Sequence, residues 1–331
     1  MKQEIKTVLV TGGAGYIGSA LVSLLLGNDY HVTVIDNLVY GTEPLLNALR
    51  HPSFTFIRGD ITSLESLQTA FENHSFDAVI HLAAIVGDPA CAKQPGLARA
   101  VNWDGSLNVL DYSIKNNVKR FIYASTCSNY GKMLDPNGYV DEASPLAPIS
   151  LYAELKVKFE HVLLNESKKK NDFCPVSLRF ATAYGVSPRM RFDLTVNEFT
   201  KELTLGRELK VFGEQFWRPY CHVDDIARAI ALILKSDKEK TAYNVFNVGD
   251  THENYQKQMI VEEIKKLIPV VRVKYIQKNE DPRDYRVSFK KINDELGFSI
   301  CKKVPDGIRE IIHLIKNKII QNPDHSIYRN S

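Results

Sequence analysis

Residues 11–18 read Thr-Gly-Gly-Ala-Gly-Tyr-Ile-Gly, directly after the apolar run 7–10 and at the head of an amphipathic helical pattern over 17–26. Gly12, Gly15 and Gly18 give a G-x-x-G-x-x-G spacing. A strand, a glycine turn and a helix in that order let backbone approach a diphosphate, whose charge then sits against the helix N-terminus. The same alternation recurs further along the chain. Residues 31–35, 54–57, 78–82, 120–124 and 176–180 read as strands, with helical patterns such as 64–71 between several of them. Nearly continuous apolar strands separated by helices predict an α/β fold whose parallel sheet is covered on both faces.

The second of these strands ends in Asp36, 18 residues past Gly18, where a carboxylate would accept from the two ribose hydroxyls of a dinucleotide. Asn37-Leu38-Val39-Tyr40 comes next and holds no Arg or Lys for a 2′-phosphate, which favours NAD over NADP. Asp60, just after the third strand, is placed to bond the adenine amine, with Ile61 beside it. After the fourth strand, which ends in Leu82, the small Ala83 and Ala84 leave room for a cofactor passing over the sheet edge, and all three belong to its expected contacts. Tyr16 and Ile17 in the glycine turn, and Asn37 next to Asp36, complete this expected dinucleotide set.

At 331 residues, 44% hydrophobic and 24% charged, the chain reads as a soluble globular protein with one large and one smaller domain. A net charge of +3 gives no argument for nucleic acid, and Lys168-Lys169-Lys170 reads as a solvated helix end. Five scattered cysteines without a CxxC pair argue against a disulfide framework and a zinc site. With no apolar run near the ~20 residues of a membrane span, and a short charged lead instead of a signal peptide, a cytoplasmic location is expected. From about Val186 the alternation breaks, although 243–248 still reads as a strand and 221–234 as a helix entered from a loop. The division expected is a dinucleotide-binding domain over 1–180 with a return near 215–250, and a substrate domain mainly over 181–331.

Of the 15 tyrosines, Tyr152 alone has a lysine four residues later, Lys156. On a helix the two share a face. An ammonium beside a phenol favours the phenolate, lowering a pKa of about 10, so that the tyrosine can take an alcohol proton. Ala147-Pro148-Ile149-Ser150-Leu151 suits a helix start just before the pair.

TGGAGYIG, HLAA at 81–84, STCSNYG at 125–131 and YAELK at 152–156 together resemble the extended short-chain dehydrogenase/reductase superfamily, and within it the NAD-dependent sugar-nucleotide epimerase/dehydratase family. The resemblance spans nearly the whole chain. It implies a Rossmann-type, doubly wound parallel sheet with a smaller C-terminal α/β domain for a nucleotide-diphosphate sugar, and a homodimer formed through the helix bearing Tyr152 and its neighbour. By position it makes Tyr152 the catalytic tyrosine and Lys156 the lysine holding the nicotinamide ribose. Thr126 becomes the hydroxyl that bonds the reacting sugar hydroxyl, and Asn102 either a structural or a cofactor-side asparagine.

In the second half, Thr182 stands where family members commonly carry an asparagine that contacts the diphosphate. Arg218, before His222-Val223-Asp224, matches the family's diphosphate arginine, and Arg283 is a second clamp. Arg189 and Arg191 read equally as substrate contacts or as a surface loop. Arginine suits planar, bidentate phosphate contacts. His222 and Asp224 read as residues that order a helix start. The expected chemistry begins with oxidation of a sugar hydroxyl, most simply at C4. In related dehydratases an Asp-Glu pair follows the threonine; here those positions are Cys127 and Ser128. Neither is a good proton donor at neutral pH, which favours an epimerase or C4 oxidoreductase, with Cys127 as a packing residue. Similarity of PRMRFDL and EDPRDYR to members acting on GDP-linked heptoses in surface-polysaccharide pathways keeps a net C4 dehydrogenase open. The remaining readings are a 4,6-dehydratase, a dehydrogenase of a small amino acid or alcohol, and a nucleotide-binding regulatory protein on the same fold.

Overall fold

The computed structural model describes residues 5–133, 135, 138–166, 172–277 and 283–330. The lysine run at 168–170, residues 1–4 of the charged lead, and Asp281 and Pro282 of the EDPRDYR segment lie outside the described residues.

Twelve strands are described: β1 (Thr7–Thr11), β2 (His31–Asp36), β3 (Phe54–Arg58), β4 (Ala78–His81), β5 (Arg120–Thr126), β6 (Cys174–Phe180), β7 (Thr182–Tyr184), β8 (Glu208–Phe212), β9 (Trp217–His222), β10 (Asn244–Val248), β11 (Asn254–Gln256) and β12 (Arg272–Ile276). The helices are α1 (Tyr16–Leu26), α2 (Leu64–Glu72), α3 (Asp88–Lys93), α4 (Pro95–Arg99), α5 (Ser106–Lys115), α6 (Leu151–Glu166), α7 (Thr195–Thr204), α8 (Val223–Lys235), α9 (Lys238–Thr241), α10 (Lys257–Leu267), α11 (Lys290–Leu296) and α12 (Val304–Lys316).

Seven strands form one parallel sheet in the order β10-β6-β5-β4-β1-β2-β3. The apolar runs are continuous because both faces are covered. In β1, Val8 and Val10 pack into one core cluster while Leu9 packs into the other. α1 and α8 pack together on the first of these faces. The smaller region holds the sheets β11-β9-β7 and β12-β8, with α7, α10 and α12 enclosing its own core around Tyr220, Ile260 and Ile308. This is the doubly wound, Rossmann-type arrangement.

The expectation of a helix over 221–234 entered from a loop is corrected at its start. Cys221 and His222 close β9, which pairs with β7 and β11, and α8 begins at Val223. The His222 ring caps that helix, Nδ1 accepting from the Asp224 N–H at 3.1 Å. Its Nε2 meets Glu310 Oε2 at 2.9 Å. The strand expected at 243–248 starts one residue later, since Tyr243 has φ 61°.

Candidate active site

The strand order turns back between β1 and β4, and the carboxyl ends of these strands border one crevice, the usual ligand position in such sheets. Gly12 (φ +75°) brings its backbone against the chain after β4: a Cβ there would stand 2.7 Å from the Ala83 nitrogen. A Cβ at Gly18 would strike the Gly12 carbonyl oxygen. Asp36 braces the turn, Oδ2 accepting from Ala14 N–H at 2.9 Å and Oδ1 from Leu38 N–H at 2.8 Å. Burial raises its carboxyl above the ordinary value. α1 starts without a side-chain cap and without an acid in its first turn, so no carboxylate there competes for its first N–H groups. This cradle, filled by any Cβ and faced by a helix start, fits a dinucleotide diphosphate. Beside it, Asn37 donates to Asp60 Oδ2 at 2.9 Å, and Asp60 Oδ1 accepts from the Thr62 N–H and hydroxyl.

Under the crevice His81 bridges β4 to its neighbours, Nδ1 at 2.7 Å from Thr11 Oγ1 and Nε2 at 2.9 Å from Ser106 Oγ. The Ser106 hydroxyl donates to the Asn102 carbonyl, so His81 carries its proton on Nε2 and accepts from Thr11. Burial, then the charge of Lys156, hold the imidazole down at about 3, and it stays neutral.

β5 delivers Thr126 and α6 delivers Tyr152 and Lys156, all three buried. Thr126 hydrogen-bonds through its hydroxyl to the Tyr152 phenol. Lys156 Nζ donates to the Ala124 carbonyl at 2.6 Å and lies 4.7 Å from the Tyr123 ring centroid and 5.9 Å from that of Tyr152. α6 is started by Ser150, whose hydroxyl accepts from Ala153 N–H at 3.3 Å and donates to Asp88 Oδ1 at 2.7 Å. Arg283 Nη1 reaches the other Asp88 oxygen at 2.5 Å. Tyr285 stands alongside, its hydroxyl 3.5 Å from Ser128 Oγ and its ring 5.3 Å from the Arg218 guanidinium. Arg218 itself donates to the Trp217 carbonyl at 2.6 Å. Arg189 and Arg191 are both buried, so the surface-loop reading of this pair is corrected. Arg191 grips Asp193 with two contacts of 2.8 Å, and its charge reaches the Tyr16 and Tyr152 phenols. Thr182 is half-buried in β7, opposite Tyr220 of β9.

A model of the NAD dependent epimerase/dehydratase family matches residues 8–249. The chain belongs to this family. A dTDP-glucose 4,6-dehydratase from an Actinoplanes strain is 30% identical over 317 residues, which is 92% of this chain and 96% of that protein. Among solved structures, the UDP-glucose 4-epimerase of Thermotoga maritima with UDP-glucose superimposes with a TM-score of 0.84 at 28% identity, covering 95% of this chain and 99% of that one. The Thermus thermophilus UDP-glucose 4-epimerase complex with NAD gives 0.82 at 27% identity, covering 94% and 99%. As an epimerase/dehydratase the protein is an NAD-dependent enzyme of sugar-nucleotide chemistry.

Within that family frame several expectations need adjusting. Asn102 Oδ1 accepts from Ile85 N–H at 2.7 Å and Nδ2 donates to the Ile85 carbonyl at 2.9 Å, fixing the chain after Ala84. Tyr16 is buried, and its hydroxyl donates to the Gly185 carbonyl at 2.6 Å, tying α1 to the chain just after β7. Ile61 sits in the core against Gly105, while Ile17 and Leu82 are partly buried at the edge of the other core cluster. A Tyr152 phenol lowered by Lys156 is not what the structure shows. Burial raises the phenol well above its ordinary value, and burial also holds the Lys156 ammonium down at about 7. Sequence reading missed Asp88, Ser150 and Tyr285, because their partners are 62 residues or more away along the chain.

The lowered lysine has a measurable consequence. Lys156 moves from its ordinary 10.5 to about 7 on folding, so between those values the unfolded chain holds the extra proton. Stability of the cofactor-free protein is expected to rise with pH across that window. Lys156→Met should flatten the rise in thermal-unfolding curves taken from pH 7 to 10; an unchanged slope would contradict it.

Proposed function

We propose that the protein is a nucleotide-sugar 4-epimerase. Bound NAD supplies a hydride acceptor; the chain's own residues hold the substrate and move its proton. As the phenolate, its own proton released to solvent once a cationic nicotinamide is bound beside it, Tyr152 takes the proton of the C4 hydroxyl, and Thr126 orients that hydroxyl through the hydrogen bond it now shares with the phenol. Lys156 holds the nicotinamide ribose. Gly12, Gly15, Gly18, Asp36 and the Leu82–Ala84 turn receive the rest of the dinucleotide. Arg218, close to Tyr285, and Arg283, close to Asp88, take the sugar-nucleotide diphosphate, with Thr182 of β7 as a further contact.

The observation that carries the choice of reaction is the environment of Cys127 and Ser128. Expelling the C6 hydroxyl requires an acid and a base next to the threonine. Cys127 is buried, donates through Sγ to the Arg179 carbonyl at 3.2 Å, and has its thiol pushed well up by burial. Ser128 faces Tyr285. A proton relay does not run through such a pair, whereas an epimerase needs none: the keto sugar turns over and receives the hydride on its other face. Cys127→Ala is expected to keep turnover within about threefold and to cost roughly 1 kcal/mol of stability as a small buried truncation. A hundredfold loss of turnover would restore Cys127 as an acid.

The test of the reading is product analysis. The enzyme is incubated with UDP-, dTDP-, GDP- and CDP-linked hexoses, with mass spectrometry of the sugar and absorbance of the nicotinamide followed together. The expected result is a new sugar of unchanged mass, resolved from the substrate as its C4 epimer by chromatography or proton NMR, without accumulation of reduced cofactor; no new sugar from any of the four would count against the reading. Loss of one water would mark a dehydratase. Stoichiometric reduced cofactor would mark a net dehydrogenase.

A further inference from the structure

Arg189 is buried, yet it is not answered as a structural arginine usually is. Its guanidinium lies 3.9 Å from the Tyr40 ring centroid, Nη2 donates to the Arg329 carbonyl at 3.1 Å, and Nε has no hydrogen-bond partner among the described residues. Its neighbour Arg191 is also buried, and Asp193 is already gripped by Arg191. A buried guanidinium with an orphan N–H is costly unless something else bonds it. Burial and the nearby Arg191 hold its pKa down at about 10, the response of a cation that lacks enough counter-charge.

The position of Arg189 says which anion suits it. Its backbone N–H donates to Ser19 Oγ at 3.3 Å, and Ser187 Oγ donates to the Tyr16 carbonyl at 2.6 Å while meeting Ser19 Oγ at 3.1 Å. Tyr16 and Ser19 belong to the first turns of α1, whose start forms the diphosphate cradle. Tyr40 lies four residues beyond Asp36, on the loop leaving β2. Arg189 is thus pinned to the dinucleotide half of the crevice, while Arg218 and Arg283 stand with Tyr285 and Asp88. The C-terminal tail holds it there. Asp324 is gripped by Lys201 at 2.8 Å and Arg207 at 2.6 Å; Phe192 N–H donates to the Tyr328 carbonyl at 2.9 Å; and Asn330 N–H donates to Asp193 Oδ2 at 3.0 Å.

We propose that Arg189 is a dinucleotide-binding residue, not a sugar-nucleotide one, and that the tail from Asp324 to Asn330 positions it against the NAD diphosphate. This rests on the family's use of NAD and not on the choice of epimerase. A guanidinium stacked on an aromatic face keeps its in-plane N–H groups available for phosphate oxygens.

The test is NAD affinity by titration calorimetry on protein stripped of dinucleotide, with no sugar present, so a wrong assignment of the reaction does not affect it. Arg189→Gln is expected to weaken NAD at least tenfold. Asp324→Asn, which loosens the tail without touching the crevice, should weaken it less but in the same direction. Affinity for UDP, GDP, dTDP and CDP, measured in parallel as probes of the substrate side, should change by less than twofold. Arg189→Lys, which keeps the charge and loses the planar stack, should fall between wild type and Arg189→Gln, and it carries the test should Arg189→Gln fail to fold. NAD affinity within twofold of wild type in the Arg189 variants would overturn the proposal. So would a loss confined to the nucleoside diphosphates, which would return Arg189 to the substrate.

Discussion

Tyr152→Phe is expected to reduce turnover by about 10²- to 10⁴-fold, the usual contribution of a positioned general base, while NAD content stays at the wild-type level. The phenol is buried, bonded to Thr126, and raised by its surroundings, so its proton is not free to leave in the resting protein. In the proposed reaction that oxygen, as the phenolate, is the group that takes the proton of the substrate hydroxyl bonded by Thr126. Phenylalanine fills the same volume and removes only that oxygen. The stability cost is therefore limited to one hydrogen bond and one hydroxyl left without its partner, about 1 kcal/mol. Steady-state rates with the nucleotide sugar identified by product analysis, together with a melting curve and the dinucleotide content, check all three statements. Turnover within tenfold of wild type would remove Tyr152 from the chemistry. Thr126→Val should lose less, since it orients the hydroxyl without taking the proton.

How much of this site could be read in advance depends on how local each part is. The glycine cradle and Asp36 were legible because two strands, one turn and one helix carry them within 30 residues, and sterics allow few residue types there. Tyr152 and Lys156 were legible because a helix puts residues four apart on one face. The height of the Tyr152 pKa was not, because it is set by enclosure, which no spacing records. Asp88 became part of the site through Ser150 and Arg283, 62 and 195 residues away. The same holds for Arg189 on Tyr40, and for the strands β7 and β11, which at three residues each are too short for an alternation to show. The local motifs identified the cofactor half of the crevice, and the tertiary contacts that define the other half left no periodic trace.

One such contact sits on the same helix as Tyr152 and Lys156. Tyr152, Lys156 and Glu160 are four apart along α6, and Glu160 meets Arg179 of β6 with both side chains nearly inaccessible to solvent (1% and 5% exposed). The guanidinium spans both carboxylate oxygens, Nη2 to Oε1 at 2.5 Å and Nε to Oε2 at 3.4 Å, and its Nη1 donates to the Tyr130 hydroxyl at 2.9 Å. Tyr130 donates its own hydroxyl hydrogen bond to Asn247 Oδ1 at 2.8 Å, and Ser177 donates to Glu160 Oε2 at 2.6 Å. The network links α6 and the turn after β5 to the strands β6 and β10, fixing how far α6 advances along the sheet and hence where Tyr152 and Lys156 stand. Desolvation makes the intact pair worth little against an apolar replacement, but removing one partner leaves a buried charge uncompensated. Glu160→Gln is accordingly expected to destabilise the protein by about 3–5 kcal/mol, read from chemical denaturation, with a lowered midpoint and an unchanged denaturant slope. The double variant Glu160→Met, Arg179→Met should recover most of that loss. If Glu160→Gln costs under about 1 kcal/mol, or the double variant is as unstable as the single, the pair does not hold α6 in register and the placement of Tyr152 must come from the apolar contacts of Phe159 and Leu163 alone.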